Sequence, residues 1–382
     1  SPELIPEYLG IRNPDGTPMA ELWMGAHPKS PSRLILGDDR RSLAAEIAEH
    51  PDETLGLTVR SRFGSRLPFL FKVLAAKRGL SIQAHPNKEQ AQAGFAREEA
   101  AGVPIGAPNR SYRDDNHKPE IICALSEFWA LRGFRPAGEI AEEFADSRFD
   151  LLRGVVESLN RDGDVAVPAF FETIMRSEGE ERHSLIAAAI EYARSRSAST
   201  GRYGWVLELH RQFGEDIGVL APLYLNCVKL SPNEALFLPA GVLHAYLSGI
   251  GVELMANSDN VLRGGCTSKH VDVDELLSVL TFEAARPEIL TGTETSPIEV
   301  TYETEAPEFR LSRISLDGSV PRAIETAEGP EILLCTDGNL VATDDSAGEV
   351  TVQRGESFFV PAAIHRLSLR GRGVLYRARV PL

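Results

Sequence analysis

Strand-like and helix-like residues occur in long separate blocks along this chain, and this order constrains the fold. Residues 1–125 and 215–284 contain short apolar segments broken by glycine and proline, such as LPFLFKVLAA and GLSIQAHP, which are typical of β strands. Residues 126–214 are instead rich in Ala, Glu, Arg and Leu at helical spacing. Residues 285–382 are strand-like again, with turns at TDGN, DSAG and RGRG. We therefore predict a mainly β protein with a helical insertion.

The same blocks predict three domains. At 382 residues the chain exceeds the size at which a single hydrophobic core usually stops growing. We predict a discontinuous β domain (1–125 and 215–284), a helical insertion domain (126–214) and a C-terminal β domain (285–382). The segments NEALFLPAGVLHAYL and GESFFVPAAIHRLSL share an acidic residue, an apolar run, a proline and a histidine, His244 or His365. This internal repeat links the two β domains.

Composition excludes several classes of function. The net charge is -15, from 55 acidic and 40 basic residues, which argues against a general binder of nucleic acid or of membrane surfaces. No apolar stretch reaches the roughly 18 residues that a membrane helix needs, and the N-terminus has no signal-peptide pattern. The four cysteines are scattered without a CxxC pair, which indicates reduced thiols and a cytoplasmic protein.

Four side chains along the first β blocks have the chemistry of a metal site. Gln83 and His85 are two residues apart in SIQAH, so in a strand they face the same side. Glu120 precedes the apolar run IICAL, where an unpaired carboxylate would be costly, so a cationic partner is expected. His244 follows a Pro-Ala-Gly turn. Two imidazoles, a carboxylate and an amide oxygen suit zinc or a similar divalent ion, with room for water or substrate.

The apolar-Pro-x-x-x-His pattern around His244 resembles the second motif of the cupin superfamily, whose small jelly-roll barrels hold a metal on inward-facing residues. Further segments resemble, in the same order, the successive blocks of the type I phosphomannose isomerases. These segments are MAELWMGAHPKSPS (19–32), LPFLFKVLAAKRGLSIQAHPNKEQA (67–91), DDNHKPEI (114–121), FLPAGVLHAYLSGIGVELMANSDNVLRGG (237–265) and TSKHVDVDEL (267–276). The resemblance covers nearly the whole chain and implies two cupin-like jelly-roll domains plus an α-helical domain.

The resemblance also implies an activity, a cofactor and a set of site residues. It implies a zinc enzyme that interconverts mannose 6-phosphate and fructose 6-phosphate, with one Zn²⁺ on Gln83, His85, Glu120 and His244. The partner is then a small sugar phosphate, while the oligomeric state stays open. By position, the resemblance places seven further residues around the sugar phosphate: Lys72, His117, Lys118, Glu253, Asp259, Arg263 and Lys269.

The chain departs from the family pattern at two places. A Tyr-x-Trp-Gly-like segment that usually begins the family has no counterpart before Ser1, which leaves open whether the chain is truncated there. Where the family commonly has Arg-Ala-Gly-Leu-Thr-Pro-Lys, this chain has RGGCTSK from Arg263 to Lys269. The two basic residues remain, but without the proline we expect a less rigid loop.

Aldose-ketose isomerisation needs a base beside the carbonyl and a group that stabilises the enediol. His117 is the first candidate for the base, because imidazole titrates near neutral pH and NHKPE holds it three residues from Glu120. Glu253, Asp259 and a metal-bound water are the alternatives, and Lys118 would lower the proton affinity of a neighbouring base. The sequence does not rank these candidates.

Charged residues near these segments are candidates for binding the sugar phosphate. Arg263, in a glycine-flanked loop, is our first choice for stabilising negative charge, since its planar fork suits oxyanions. Lys72 lies within an apolar run, where a charge marks a site or else belongs to a lysine at a strand edge. Lys269 is an ordinary surface residue unless the motif applies. Glu21 binds a sugar hydroxyl or is structural.

Two other classes of protein compete with the isomerase. A cupin oxygenase that uses ferrous iron would need three histidines, or two histidines and a carboxylate, and the amide of Gln83 argues against it. A non-catalytic bicupin would hold its metal for structural purposes only. Structural zinc sites are usually closed and often rich in cysteine, which this set is not.

Overall fold

The computed structural model describes residues 1–36, 39–196, 201–318, 320–326, 328–344 and 348–382. Its helices are α1 (Leu4–Leu9), α2 (Leu43–Glu49), α3 (Pro51–Leu55), α4 (Leu57–Phe63), α5 (Lys88–Ala100), α6 (Ala137–Phe144), α7 (Arg153–Asp162), α8 (Val167–Arg176), α9 (Gly179–Ser195), α10 (Gly201–Phe213), α11 (Ala221–Tyr224) and α12 (Val273–Val279). Short 3-10 helices span Ser147–Leu152, Gly163–Ala166 and Ile217–Leu220.

The strands of the first half are β1 (Glu21–Met24), β2 (Arg33–Leu36), β3 (Asp39–Ser42), β4 (Phe69–Ala76), β5 (Ile82–Ala84), β6 (Glu120–Ala124), β7 (Phe128–Phe134), β8 (Leu225–Leu230), β9 (Ala235–Leu238), β10 (His244–Ala256) and β11 (Leu262–Gly265). Those of the second half are β12 (Thr293–Ser296), β13 (Glu299–Tyr302), β14 (Arg310–Asp317), β15 (Arg322–Glu325), β16 (Glu331–Asp344), β17 (Glu349–Gln353), β18 (Ser357–Val360) and β19 (Arg366–Arg379).

Two large antiparallel sheets dominate the described part of the chain. The first contains nine strands, in which the long β10 pairs with β4, β5, β6 and β7. The second contains eight strands, β12 to β19. A helical segment from Ala137 to Tyr224 separates β7 from β8 within the first sheet. The predicted class, mainly β with a helical insertion, is confirmed, whereas the three domain boundaries stay a prediction.

The two faces of the first sheet have different neighbours. Val73, Ile121 and Val252 on its outer face share one apolar core with residues of the second sheet such as Leu334 and Tyr376. The adjacent residues in sequence point the other way, into the interior of the first sheet, where Leu74, Ile122 and Tyr246 pack together. Because both faces of β4 are covered, all eight of its residues are buried, which explains the continuous apolar run FLFKVLAA.

The helical segment packs against the first sheet next to the strand ends that carry the predicted metal ligands. Buried residues of α8, such as Phe170 and Phe171, belong to the same apolar core as Ile82, Ala84 and Leu243 next to the predicted metal ligands. Helix α5 begins immediately after this region with a capping box, in which Asn87 and Gln90 each accept from the other's backbone N–H. The ligand-bearing strand ends are therefore fixed by packing on one side and by a capped helix on the other.

The repeat predicted from the sequence has the same structural setting in both sheets. In each copy a short strand, β9 or β18, ends before the proline, and a long strand, β10 or β19, starts at or just after the histidine. His244 is buried, but His365 is exposed. Among the described residues, the cluster of metal-ligand type is formed by His85, Glu120 and His244, without His365. The second sheet thus repeats the local architecture without the donor set.

Two observations bear on the cellular setting of the chain. None of the described helices has both the length and the apolar character needed to cross a membrane. All four cysteines are free, and Cys123, Cys266 and Cys335 are buried. The unpaired thiols agree with the sequence interpretation, while the cytoplasmic location stays a prediction.

Candidate metal centre and substrate pocket

Three strands bring the four predicted metal ligands together at their ends. Gln83 lies in β5 and His85 follows the end of that strand, while Glu120 and His244 are the first residues of β6 and β10. His244 is paired directly with Gln83 across the β5–β10 ladder. His85, Glu120 and His244 are each only 1% exposed, and their donor atoms lie within 4.8 Å of one another.

Backbone carbonyls fix the tautomer of both histidines. Nδ1 of His85 lies 2.7 Å from the carbonyl oxygen of Asn260, and Nδ1 of His244 lies 2.9 Å from that of Val242. Because a carbonyl oxygen only accepts, each Nδ1 carries the proton and donates it. Each Nε2 is therefore a bare lone pair in the neutral ring, the form in which histidine binds a metal.

Both lone pairs face the carboxylate oxygens of Glu120. Nε2 of His85 lies 3.5 Å from Oε1 of Glu120, and Nε2 of His244 lies 3.4 Å from Oε2. Nε2 of His85 and Oε2 of Glu120 have no hydrogen-bond partner. Donor atoms at about 2.0–2.2 Å from a tetrahedral ion lie about 3.3–3.6 Å apart, which is the spacing seen here. The cluster therefore fits a divalent cation at its centre.

The side chain of Gln83, the fourth predicted ligand, reaches the same cluster. Its amide nitrogen lies 3.5 Å from Nε2 of His244, so the amide group reaches the centre at the same spacing as the other ligands. An amide binds metal through its oxygen, which a half-turn about the last side-chain torsion would bring to this position. Gln83 is half-buried, in contrast to His85, Glu120 and His244.

The charges around the centre favour the metal-binding protonation states. Burial, followed by the charge of Lys118, lowers the pKa of His85 from 6.5 to about 4. Burial alone would raise the pKa of Glu120, but Lys118, which contacts its Oε1, and His85 lower that pKa well below its usual value. At neutral pH the centre thus presents a neutral imidazole at His85 and an ionised carboxylate at Glu120.

A second buried charged group lies on the interior face of the same sheet. Lys72 in β4 is the cross-strand neighbour of both Trp23 and Glu253. Its ammonium lies 3.1 Å from Glu253 and 3.3 Å from Glu21. Burial alone would lower the pKa of Lys72, but Glu253, Glu21 and Glu120 together raise it. Burial raises the pKa of Glu253 despite the nearby lysine. Lys72 is thus no snorkelling surface residue.

His117 lies away from this group, although it is only three residues from Glu120. Its Nε2 is 2.6 Å from Oε1 of Glu308, a buried carboxylate from the loop between β13 and β14. In an extended chain, residues an odd number of positions apart face opposite sides, so His117 and Glu120 point away from each other. Ile121 is four positions after His117, on the same side, and it belongs to the core shared with the second sheet. The contacts of His117 are therefore with the second sheet, whereas Lys118 contacts Glu120.

Asp259 is held by two basic side chains of the segment that follows β1. Its carboxylate lies 2.7 Å from Nζ of Lys29 and 3.5 Å from Nε2 of His27. The hydrogen bond from His27, opposed by burial and aided by Lys29, lowers the pKa of Asp259 far below its usual value. These three residues line a cavity of about 340 Å³ with Arg113.

Arg263 and Lys269 form a cationic group beside the centre. Arg263 is the cross-strand neighbour of Gln83 in the β5–β11 pair. Burial and the charge of Arg113 lower the pKa of Arg263, and the charges of Arg263 and Arg113, with burial, lower that of Lys269. In the described part of the chain, Arg263, Lys269 and Arg113 form no ion pair with a carboxylate. The group is therefore suited to an anionic ligand.

Sequence reasoning missed Tyr246 and Asn260. The hydroxyl of Tyr246 is buried without a hydrogen-bond partner, and burial followed by the charges of Glu253 and Glu120 raises its pKa. It lies two residues after His244 in β10, so strand alternation predicts that both side chains face the same side of the sheet. Asn260 is fully buried; its carbonyl accepts from His85 and its side chain accepts from Arg113 N at 2.7 Å. No local sequence pattern indicates this second role.

Comparison with characterised families agrees with this geometry. A family model described as the catalytic domain of type I phosphomannose isomerase matches residues 3–137. The mannose-6-phosphate isomerase of Salmonella typhimurium is 38% identical over 378 residues, covering 98% of this chain and 94% of the relative. The mouse enzyme of the same name is 36% identical over 369 residues, covering 90% and 84%.

Solved structures give the same result for the fold. An alanine variant of phosphomannose isomerase from Salmonella typhimurium superposes with a TM-score of 0.92 at 36% identity, covering all of this chain and 96% of that one. A zinc-bound mannose 6-phosphate isomerase gives 0.91 at 36% identity with the same coverage. These likenesses confirm the predicted architecture of two cupin-like units with a helical insertion. Since they extend over essentially the whole chain, it belongs to the type I phosphomannose isomerase family.

Proposed function

We propose that this chain interconverts mannose 6-phosphate and fructose 6-phosphate, with one Zn²⁺ held by Gln83, His85, Glu120 and His244. Relatives with the name of this activity align over nearly the full chain. A structural neighbour at 36% identity is described as zinc-bound. A cluster of matching donor type lies at the strand ends of this chain.

One observation carries the metal assignment. Nε2 of His85 and Nε2 of His244, whose Nδ1 atoms both donate to backbone carbonyls, face the oxygens of an ionised Glu120 at 3.5 and 3.4 Å. Acceptors this close repel one another unless positive charge lies between them. Lys118 contacts only Oε1 in this arrangement, so Oε2 and the Nε2 of His85 stay without a partner. A divalent ion satisfies all of these atoms at once.

The proposed reaction moves a proton between C1 and C2 of the open-chain sugar through an enediol. When bound, zinc stabilises negative charge that develops on the sugar oxygens. Lys118 and Lys72, both buried, would supply further positive charge on the interior face of the sheet. A low local dielectric strengthens these interactions in the transition state.

Among the candidate bases we favour Glu253. Burial raises the pKa of its carboxyl, which makes it a better proton acceptor near neutral pH than a solvated glutamate. Lys72 lies 3.1 Å away and would orient it. Asp259 is less suitable, because His27 and Lys29 lower the pKa of its carboxyl and so weaken it as a base. His117 is hydrogen-bonded to Glu308 and contacts the second sheet.

We assign the phosphate to Arg263 and Lys269. Both carry charge without a carboxylate partner among the described residues, and Arg263 lies beside Gln83. A phosphate bound here would relieve the repulsion between the two cations, and Arg263 can bind it with two parallel hydrogen bonds. Glu21, which lies 2.8 Å from Nε1 of Trp23 and 3.3 Å from Lys72, is placed to accept from a sugar hydroxyl.

The test is turnover of mannose 6-phosphate to fructose 6-phosphate by purified protein in three states. The protein is assayed as isolated, after chelation, and after zinc is added back, with metal content measured in each state. We expect activity to follow zinc content at one ion per chain. Turnover that persists in metal-free protein would refute the metal assignment, and folded, zinc-loaded protein without turnover would refute the substrate assignment.

A further inference from the structure

We propose that Asp216 is a positioning residue that holds the cation loop, defined as residues 263–269, in the conformation that presents Arg263 and Lys269 to the substrate. This inference rests on the proposed function, because it is there that the two cations are assigned to the phosphate. Asp216 itself belongs to the helical segment, between α10 and the 3-10 helix Ile217–Leu220. Nothing in its local sequence distinguishes it from a helix cap.

The carboxylate of Asp216 accepts three backbone hydrogen bonds from two segments. Its Oδ1 accepts from the N–H of Gly218 at 2.8 Å, which caps its own 3-10 helix, and from the N–H of Cys266 at 2.7 Å. Its Oδ2 accepts from the N–H of Thr267 at 3.1 Å. A bond between a charged acceptor and a backbone donor is among the stronger hydrogen bonds in proteins. One side chain thus connects the helical segment to the middle of the cation loop.

The backbones of the two segments also touch at a pair of glycines. A Cβ on Gly265 would lie 2.8 Å from Cα of Gly218, and a Cβ on Gly218 would lie 2.7 Å from N of Cys266. Gly265 has φ +132° and Cys266 has φ +51°, a region that a non-glycine residue seldom adopts. A backbone of this kind persists only where the surroundings hold it. The contacts with Asp216 and Gly218 supply that restraint.

The restrained residues lie between the two cations. On one side, Gly265 pairs with Ile82 and Arg263 pairs with Gln83 in the β5–β11 ladder. On the other side, the hydroxyl of Thr267 accepts from the N–H of Lys269 at 3.1 Å. A shift of Cys266 or Thr267 would therefore move Lys269 directly and Arg263 through the end of β11.

Electrostatic repulsion makes such a restraint necessary. Arg263 and Lys269 repel each other and Arg113, and neither has a carboxylate partner among the described residues. Thr267 and Lys269 also line a cavity of about 820 Å³, together with Glu178, Arg182 and Glu215 of the helical segment. Without a fixed backbone, the flexible cations would separate into solvent. Asp216 opposes this through backbone N–H groups, and so leaves both side-chain charges free for a ligand.

The principal test compares Asp216→Ala and Asp216→Asn with the wild type and with the control Asp146→Ala. Asp146 caps another 3-10 helix, Ser147–Leu152, by accepting from Arg148 N at 3.1 Å, and has no contact with the cation loop. We expect Asp216→Ala to lower kcat/KM for mannose 6-phosphate by about 10- to 100-fold, mainly through KM. Asp216→Asn should lose less, since one oxygen remains, and Asp146→Ala should behave as wild type.

Two further measurements distinguish positioning from general stability. Zinc content should stay at one ion per chain, and competitive inhibition by inorganic phosphate should weaken about in parallel with KM. Amide hydrogen exchange at Cys266 and Thr267 should accelerate in Asp216→Ala but not in Asp146→Ala. Gly218→Ala provides an independent perturbation of the same contact from the helical side, with Gly138→Ala, which has open space, as its control.

The possible outcomes distinguish a positioning role of Asp216 from a structural role and from no role. Unchanged kcat/KM and unchanged phosphate inhibition in Asp216→Ala would overturn the inference. A loss of activity together with lost zinc, or with partial unfolding of the variant at the assay temperature, would also overturn it, since the role would then be structural. If the wild type lacks isomerase activity, the proposed function fails. The effect of Asp216 on amide exchange and on phosphate binding would then still report on the loop.

Discussion

Replacing Glu120 by glutamine tests the metal assignment most directly, because it keeps the shape of the ligand and removes its charge. In this chain Glu120 is the one acidic member of the donor cluster, and its neighbour Lys118 has a side chain only 9% exposed. Breaking a buried ion pair costs about 3–5 kcal/mol. The glutamine oxygen can still accept from Lys118, so we expect a loss near the lower end, about 3 kcal/mol, in metal-free protein.

The same substitution should also weaken zinc binding. Changes to residues that merely orient the ligands of a metal weaken binding about 10- to 100-fold, so loss of the anionic ligand itself should exceed about 100-fold, or about 2.7 kcal/mol. Zinc at 100 times its dissociation constant stabilises the wild type by about 2.7 kcal/mol. The same zinc concentration should therefore stabilise Glu120→Gln by less than about 0.5 kcal/mol.

The assay combines zinc content after dialysis with thermal unfolding at increasing free zinc. The matched control is Glu143→Gln, since Glu143 is also a buried carboxylate and accepts from Arg135 at 3.3 Å and Arg202 at 2.6 Å, within the helical segment. The control should unfold at lower temperature yet keep one zinc per chain and the zinc-dependent rise in Tm. If Glu120→Gln retains both, the carboxylate is no ligand and the inference from facing acceptor atoms is wrong.

Three further predictions concern other parts of the molecule. Burial lowers the pKa of His85 from 6.5 to about 4, so in metal-free protein the stability from this group is present above pH 6.5 and is lost as pH falls toward 4. Denaturant titrations across this range should lose about 3 kcal/mol, and His85→Gln should flatten the slope. Arg263→Ala should keep one zinc per chain but lower kcat/KM at least about 100-fold, measured by steady-state kinetics. His365→Ala should leave zinc content and Tm unchanged, because His365 is exposed and outside the donor cluster.

The donor cluster of His85, Glu120 and His244, with Gln83 beside it, could be predicted because its signal is local. Gln83 and His85 share a face by strand alternation, and each of the other two ligands begins a strand after a proline-containing turn. What the sequence could not supply is the register between strands. The pairing of Glu253 with Lys72 depends on how β10 lies against β4, two strands far apart in the chain. For this reason Lys72 remained undecided between an edge lysine and a site residue.

The same limit applies to His117, the first candidate for the base in the sequence. Its chemistry is suitable and its distance from Glu120 in sequence is short, but three positions in an extended chain lead to opposite faces. Alternation could have indicated this, whereas the partner, Glu308, lies 191 residues further along the chain. The contact between them exists only because the second sheet packs on the outer face of the first. Long-range contacts of this kind leave no signature in a local motif.

The two β units share an architecture, yet they have diverged in what their interiors contain. The interior of the first sheet holds His85, His244 and Glu120 as an open donor cluster, whereas the second sheet has a closed ion-pair cluster beside Leu333 and Leu375, in which Arg377 lies 3.2 Å from Glu299 and 2.7 Å from Glu331. Buried charges are costly unless paired, so a centre of this kind needs a rigid frame around it. The second sheet contributes to that frame by covering the outer face of the strands that carry the ligands. The helical segment contributes on the other side, through the core near Ile82 and through Asp216. The second sheet and the helical segment thus both help to fix the geometry of the strands that carry the donor cluster.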